Sequence, residues 1–208
     1  MTHYGMAIDL TRCFGCHACE VACKVANNNP ADVAYNKIYT VGAIGETEPV
    51  AYDTASGTYP NCSLSFLPMN CQHCENPSCL EACPTGATMK DEETGVVYVD
   101  DTLCIGCKSC IQACPYGAPQ FVEAKGVTEK CDMCAELRSY GEEPACVAIC
   151  PQRALKVGDI DELRAEFGDC ADVAPLPSSA DTAPNVVIVA HRNAKTNLAD
   201  VRILSLEQ

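Results

Sequence analysis

The chain has 208 residues, with 28 acidic against 14 basic side chains and a formal net charge of −14, the wrong sign for a surface that tracks nucleic-acid phosphates or an anionic lipid face. It carries 18 cysteines but only 4 Phe, 8 Tyr and no Trp, so apolar burial leaves a lean core and something else is needed to hold the fold together. No stretch reaches the ~18 apolar residues of a membrane-spanning helix, the longest run being VVIVA at 186–190.

In chain order, the amino terminus MTHYGMAIDLTRC has neither a basic leader nor an apolar run and does not read as a Sec signal peptide; a twin-arginine pair is missing too. MAIDL (6–10) is an apolar strand leading straight into cysteines. Residues 24–70 open on polar VANNNPADVAYNK and continue in short strand-like runs, IYTVGAI and CSLSFL, split by Gly and Pro, which predicts a β-rich insertion. GVVYVD (95–100) is a further β-branched strand, and DIDELRAEFG (159–168) predicts a helix with Asp159 as N-cap and Gly168 as its stop. The loop APLPSSADTAPN and the strand VVIVA follow, a tail expected to bury little by itself and to lie along a partner.

Sixteen of the cysteines fall into four groups: Cys13, Cys16, Cys19, Cys23; Cys71, Cys74, Cys79, Cys83; Cys104, Cys107, Cys110, Cys114; and Cys131, Cys134, Cys146, Cys150. Pro84, Pro115 and Pro151 follow the last cysteine of the second, third and fourth groups, while Lys24 follows the first. The C-x2-C-x2-C-x3-C-P run is that of bacterial ferredoxins, in which the fourth cysteine ligates the other cluster of a pair. Three thiolates on a tight loop wrap one cubane, and the last, a helical turn on, points away from it.

An internal repeat sharpens this pattern. MAIDLTRCFGCHACEVAC (6–23) aligns with VYVDDTLCIGCKSCIQAC (97–114), sharing Asp9 or Asp100, Thr11 or Thr102, and Gly15 or Gly106. PSCLEACPTGAT (77–88) aligns with PACVAICPQRAL (144–155). A two-cluster module built from one group of each type is either nested, first with fourth and second with third, or sequential. The strand GVVYVD between Cys83 and Cys104, placed as in the middle of a small ferredoxin, favours the nested order.

Disulfides would call for an export signal, and zinc, which also uses CxxC pairs, has no use for a third cysteine at the next interval and a fourth before proline. Cys62 and Cys170 stand alone and read as buried structural thiols. His3, His17 and His73 lie beside cysteines or near the terminus and read as tuning or packing groups, since sixteen thiolates already complete four cubanes. Neither an acid-base constellation apart from the cysteines nor a phosphate-cradling glycine loop is present to suggest catalysis. Arg12, His17 and Lys24 crowd the first group and Asp132 and Glu136 flank the fourth, which predicts the higher potential of that pair at the first.

From YGMAIDLTRCFGCHACEVACK through CQHCENPSCLEACPTGA, CIGCKSCIQACPYGAPQ and KCDMCAELRSYGEEPACVAICPQRAL to DIDELR and APLPS, the sequence resembles the iron-sulfur electron-transfer subunits of the dimethyl sulfoxide reductase family. The resemblance is weakest over 24–70 and after 192. It implies an α+β fold of two ferredoxin-like modules with four 4Fe-4S clusters paired in the nested way. The outer module would comprise 1–23 and 115–158, the insertion 24–70, the inner module 71–114, and a C-terminal helix and partner-docking tail 159–208. The nested ligand sets would be Cys13, Cys16, Cys19 and Cys150; Cys71, Cys74, Cys79 and Cys114; Cys104, Cys107, Cys110 and Cys83; and Cys131, Cys134, Cys146 and Cys23. Related nitrate reductase beta subunits carry Trp at the position matching Cys107 and a 3Fe-4S cluster; cysteine here implies a full cubane. The resemblance further implies a non-catalytic wire between a molybdopterin-containing catalytic subunit and a quinol-oxidising membrane anchor. Its complex would sit on the extracytoplasmic face through the partner's twin-arginine signal, with a cytoplasmic life as the alternative.

Overall fold

The computed structural model describes residues 2–43, 64–192 and 201–203. Strand β1 (Tyr4–Asp9) is the centre of a three-stranded sheet. On one side it pairs antiparallel with β8 (Leu155–Asp159), Tyr4 opposite Asp159 and Ile8 opposite Leu155. On the other it pairs parallel with β9 (Val186–Val189), Met6 opposite Val186. Successive side chains of a strand point to opposite faces. Met6 and Ile8 accordingly enter the main core with Ile38, Leu67, Leu155 and Ile188, while Ala7 meets Ile160, Leu163 and Val187 on the other face. Burial on both faces is why MAIDL and VVIV are continuous apolar runs rather than alternating ones.

The second face is covered by α6 (Ile160–Phe167), whose N-cap Asp159 accepts from the backbone N–H of Asp161 at 3.0 Å and whose C-cap is Gly168. The expected insertion supplies β2 (Lys37–Ala43) and β3 (Leu64–Met69), antiparallel with Lys37 opposite Met69. Strand β10 (Val201–Ile203) lies along the other edge of β2. Ile44 of the first strand-like run, and Cys62 and Ser63 of the second, lie outside the described residues.

Between these sheets the chain forms short helices and hairpins. Helix α1 (Ala18–Ala26) packs against α5 (Ala145–Ala148), and α2 (Ser78–Glu81) against α3 (Ser109–Ala113). Hairpins are made by β4 (Thr88–Lys90) with β5 (Val97–Val99) and by β6 (Gln120–Val122) with β7 (Val127–Glu129); α4 (Ala135–Ser139) follows the latter. Thiols are members of the cores themselves: Cys19 and Cys146 in the main one, Cys23 beside Val33 and Tyr35, and Cys79 and Cys110 beside Val97.

One expectation is corrected. The tail does not bury little: Val173, Ala174 and Leu176 are buried, and Val187 in β9 is 0% exposed. The Thr182 hydroxyl hydrogen-bonds the Tyr116 hydroxyl at 2.8 Å, and Asn185 Nδ2 donates to the His73 carbonyl at 2.9 Å. The reason is a free edge on β1, which offers VVIV a ladder partner far away in the chain.

Candidate metal centres

The two copies of the sequence repeat build the same turn. Asp9 Oδ1 accepts from the backbone N–H (2.9 Å) and hydroxyl (2.6 Å) of Thr11, and Asp100 Oδ1 accepts from Thr102 at the same two distances. Gly15 and Gly106 follow at φ 71° and 66°, then His17 and Lys108 at φ 60° and 64°, each directly before a helix. Alternating left-handed residues curl the backbone around a hollow, with Cys19 and Cys110 entering it from the first turns of α1 and α3. In the other repeat, Pro77 and Pro144 are the N-cap residues of α2 and α5, which sets Cys79 and Cys146 at the second helical position, both buried.

Thiols gather across the chain rather than along it. Cys13, Cys16, Cys19 and Cys150 line one hollow, and Cys83, Cys104, Cys107 and Cys110 line another. Cys23 lies in the electrostatic reach of Cys134 and Cys146, and Cys131 in that of Cys146 and Cys23. Cys79 lies in that of Cys71, Cys114 and Cys74. Cys131 is also within reach of Cys71, so these two gatherings adjoin. Among the described residues, no three His, Cys, Asp or Glu side chains converge as a single-ion site requires. Where the thiols line hollows, as at Cys13, Cys16, Cys19 and Cys150 and at Cys83, Cys104, Cys107 and Cys110, the arrangement suits a ligand with a volume of its own.

The environment of the sulfurs fits an iron-sulfur cluster. Every described cysteine is free. Backbone N–H groups donate to sulfur from Ala154 to Cys150 (3.3 Å), Met133 to Cys131 (3.4 Å), Thr128 to Cys104 (3.4 Å) and Thr88 to Cys83 (3.5 Å). Asn27 Nδ2 donates to Cys23 Sγ at 3.5 Å and Lys130 Nζ to Cys71 Sγ at 3.4 Å. Each gathering thus holds at least one N–H aimed at a sulfur, the hydrogen bonding that stabilises ligated thiolate.

Burial pushes the Cys19 thiol up to about 11, against a hydrogen bond from Asn36, and pushes Cys23 up to about 12, with Cys134 adding to it. Burial and Cys71 raise Cys74 to about 11 and Cys79 to about 12, and burial raises Cys131 and Cys146 as well. At Cys83 slight burial acts upward, but hydrogen bonds from Thr88 and Thr85 outweigh it and bring the thiol down to about 7. Buried thiols of the first kind become anions only opposite a cation, which bound iron supplies.

The remaining candidates separate cleanly. His17 Nδ1 bonds Glu20 at 2.8 Å, His3 faces Glu75 at 3.7 Å, and fully buried His73 accepts from the Val97 N–H at 3.0 Å. Cys170 is exposed, not buried as expected: it sits in the turn after α6, tied to β9 only through its backbone, where its carbonyl accepts from Ile188. Cys62 lies outside the described residues. What sequence reasoning missed is Lys130; its signal is a lysine directly before a CxxC pair, but nothing in the sequence shows that it is buried.

Thiol gatherings of this number, with N–H groups aimed at their sulfurs, define an iron-sulfur protein. Residues 62–160 match the 4Fe-4S dicluster domain, and residues 10–26 the 4Fe-4S binding domain. The sequence is 44% identical, over 93% of its length and 92% of the relative's, to the B chain of the anaerobic dimethyl sulfoxide reductase of Escherichia coli (strain K12). It is 42% identical over the same shares to YnfG, a probable anaerobic dimethyl sulfoxide reductase chain of that organism. To the thiosulfate reductase electron transfer subunit PhsB of Salmonella typhi it is 41% identical, over 76% of this chain and 77% of the relative. The chain therefore belongs to the family of iron-sulfur B chains of anaerobic dimethyl sulfoxide reductases.

Proposed function

We propose that this chain is a non-catalytic electron wire carrying four 4Fe-4S clusters on the sixteen grouped cysteines. It would be built as an outer module of 1–23 and 115–158 around an inner module of 71–114. The ligand sets are those of the nested order: Cys13, Cys16, Cys19 and Cys150; Cys23, Cys131, Cys134 and Cys146; Cys71, Cys74, Cys79 and Cys114; Cys83, Cys104, Cys107 and Cys110. When bound, the clusters supply one-electron redox chemistry, with potentials set by charge, hydrogen bonds to sulfur and exposure.

The observation that carries this reading is that the four gatherings form a file. Helix α1 carries both Cys19 and Cys23, joining the first to the second; Cys131 and Cys71 adjoin the second and third; Cys110 and Cys114, on and just past α3, join the third to the fourth. The two ends of the file are open, with Cys16 and Cys107 exposed, whereas no cysteine of the two middle gatherings is exposed. Phe14 (51% exposed) and Ile149 stand beside one end, Leu103 and Ile105 (67% exposed) beside the other. A relay with two open ends serves a donor on one side and an acceptor on the other, and apolar collars suit protein partners at both. Membership of a reductase family supports reading those partners as a molybdopterin-containing catalytic subunit and a quinol-oxidising membrane anchor. No helix among the described residues is long and apolar enough to cross a membrane, so contact with the bilayer would run through the anchor.

Anaerobically purified complex should contain about 16 iron atoms in this chain, and dithionite should reduce four EPR-active cubanes. Stoichiometric zinc without visible charge-transfer absorption would end the reading.

A further inference from the structure

Lys130 is a buried cation between two thiol gatherings. It precedes Cys131 in sequence and is 5% exposed. Its Nζ donates to Cys71 Sγ at 3.4 Å, to the Cys131 carbonyl at 3.2 Å, and to the Val97 carbonyl in β5. Three acceptors use all three donors of an ammonium, so the geometry itself calls for the charged form. None of the three acceptors is a carboxylate, and a charge buried without a counter-ion is costly unless something anionic lies near it. The nearest anion-to-be is sulfur.

We propose that Lys130 is the electrostatic bridge of the wire, raising the reduction potentials of the two middle clusters, most strongly the one on Cys71, Cys74, Cys79 and Cys114. The inference rests on the four-cluster reading above. A reduced cluster carries one more negative charge than an oxidised one, and a fixed positive charge in a low-dielectric site favours the reduced form. The effect is graded by contact. The bond to Cys71 is made to a ligand sulfur, whereas that to Cys131 is made to its backbone. Lys130 also acts against the burial and Cys71 charge that push the Cys79 thiol up. Neither end gathering touches it. Electrons crossing from one module to the other would pass between Cys131 and Cys71, where this cation lies, so its charge acts on both partners of that step and, being graded, sets the difference between them.

The test is an EPR-monitored redox titration of the intact complex, comparing wild type with Lys130→Met, Lys130→Gln and Lys130→Arg, with signals assigned by their loss in Cys114→Ser and Cys23→Ser. In the Met and Gln variants, the reduced-to-oxidised ratio of the Cys71 cluster at its wild-type midpoint should fall roughly tenfold, ~59 mV for a one-electron couple. The Cys131 cluster should shift less and the end clusters not at all, while Lys130→Arg should restore most of the difference. Full iron with unmoved midpoints in Met and Gln, or an Arg variant as shifted as Met, overturns the inference. Loss of iron in all three variants overturns it too, making Lys130 an assembly element. A wild-type complex without four titrating cubanes defeats the parent reading instead, so the two failures are told apart.

Discussion

Cys107 and Cys146 are both candidate cluster ligands, one from each type of group, and sit in opposite surroundings. Cys107 is exposed and hydrogen-bonded to Ser109 at 3.4 Å, a contact that lowers its thiol from the ordinary range. Cys146 is buried in the main core among Met6, Ile8 and Leu155, and burial raises it far above that range, with Cys23 and Cys134 adding to the effect. The same contrast separates Cys83, at about 7, from Cys79, at about 12. Ends and middle of the file therefore solve different problems. An end must be reached by a partner, so its sulfurs tolerate water and its collar is apolar. The thiols that burial raises, Cys23, Cys74, Cys79, Cys131 and Cys146 in the middle and Cys19 at one end, would ionise only opposite bound metal, which would couple metal binding to folding.

The largest effect that would break this contrast is the loss of one thiol at each place. Cys23→Ser should cost the cluster of Cys131, Cys134 and Cys146, about 4 of about 16 iron atoms, and spare the one beside it in sequence. Cys114→Ser should do the same to the cluster of Cys71, Cys74 and Cys79. Cys107→Ser, where water reaches the vacated position, should lose about one iron atom and keep the remainder of its cluster. Iron analysis with EPR distinguishes the cases. If Cys23→Ser removes the cluster of Cys71, Cys74 and Cys79 instead, the sequential order holds and the nested ligand sets fall.

A smaller effect lies in the pH dependence of iron uptake. A thiol raised to about 12, as at Cys79, is protonated throughout the neutral range, so each iron-sulfur bond formed there releases a proton and is favoured as pH rises. Cys83, at about 7, is largely anionic above that value and gains little from further alkali. Anaerobic reconstitution between about pH 7 and about pH 9 should therefore fill the middle sites progressively, while the Cys83 end is served closest to neutrality. Cluster-specific EPR intensity against pH checks this; parallel curves would show that burial does not govern uptake.

The repeated turns were legible because thiols, glycines and turn residues recur in one short frame. Asp9 with Thr11 and Asp100 with Thr102 could be matched by eye and form the same hydrogen bonds. Helix α6 was legible for a similar reason, since Asp159 and Gly168 act within one turn of it. Properties that depend on distant neighbours were not. The burial of VVIV needs the free edge of β1, and the burial of Lys130 needs Val97 and Cys71 brought to it from other elements. To the charge bias read from Arg12, His17 and Lys24, the structure adds partners that the sequence does not show. His17 is engaged by Glu20, and Lys24 reaches the Ala31 carbonyl at 2.7 Å.

The smallest predicted effect compares the two ends with each other. Gly15 and Gly106 occupy matching places in the repeat, both at positive φ, so alanine at either meets a backbone penalty of ~1–2 kcal/mol. What lies behind them differs. A Cβ on Gly15 would meet the ring of Phe66 from β3, a half-buried side chain that is able to turn aside. A Cβ on Gly106 would overlap the carbonyl oxygen of Gly126 in the β6–β7 turn, and backbone held by the hydrogen bonds from Gly126 N–H to the Val122 and Glu123 carbonyls has no such freedom. Gly106→Ala must push that hairpin away, and the hairpin carries the Thr128 N–H that donates to Cys104 Sγ. Gly106→Ala should therefore destabilise the holoprotein by ~1 kcal/mol or more beyond Gly15→Ala, within the usual range for overpacking, and shift the EPR signal of its end cluster. Equal losses in thermal melts, with both end-cluster signals unchanged, would mean that the hairpin yields as readily as a phenyl ring and that the two ends are mechanically alike.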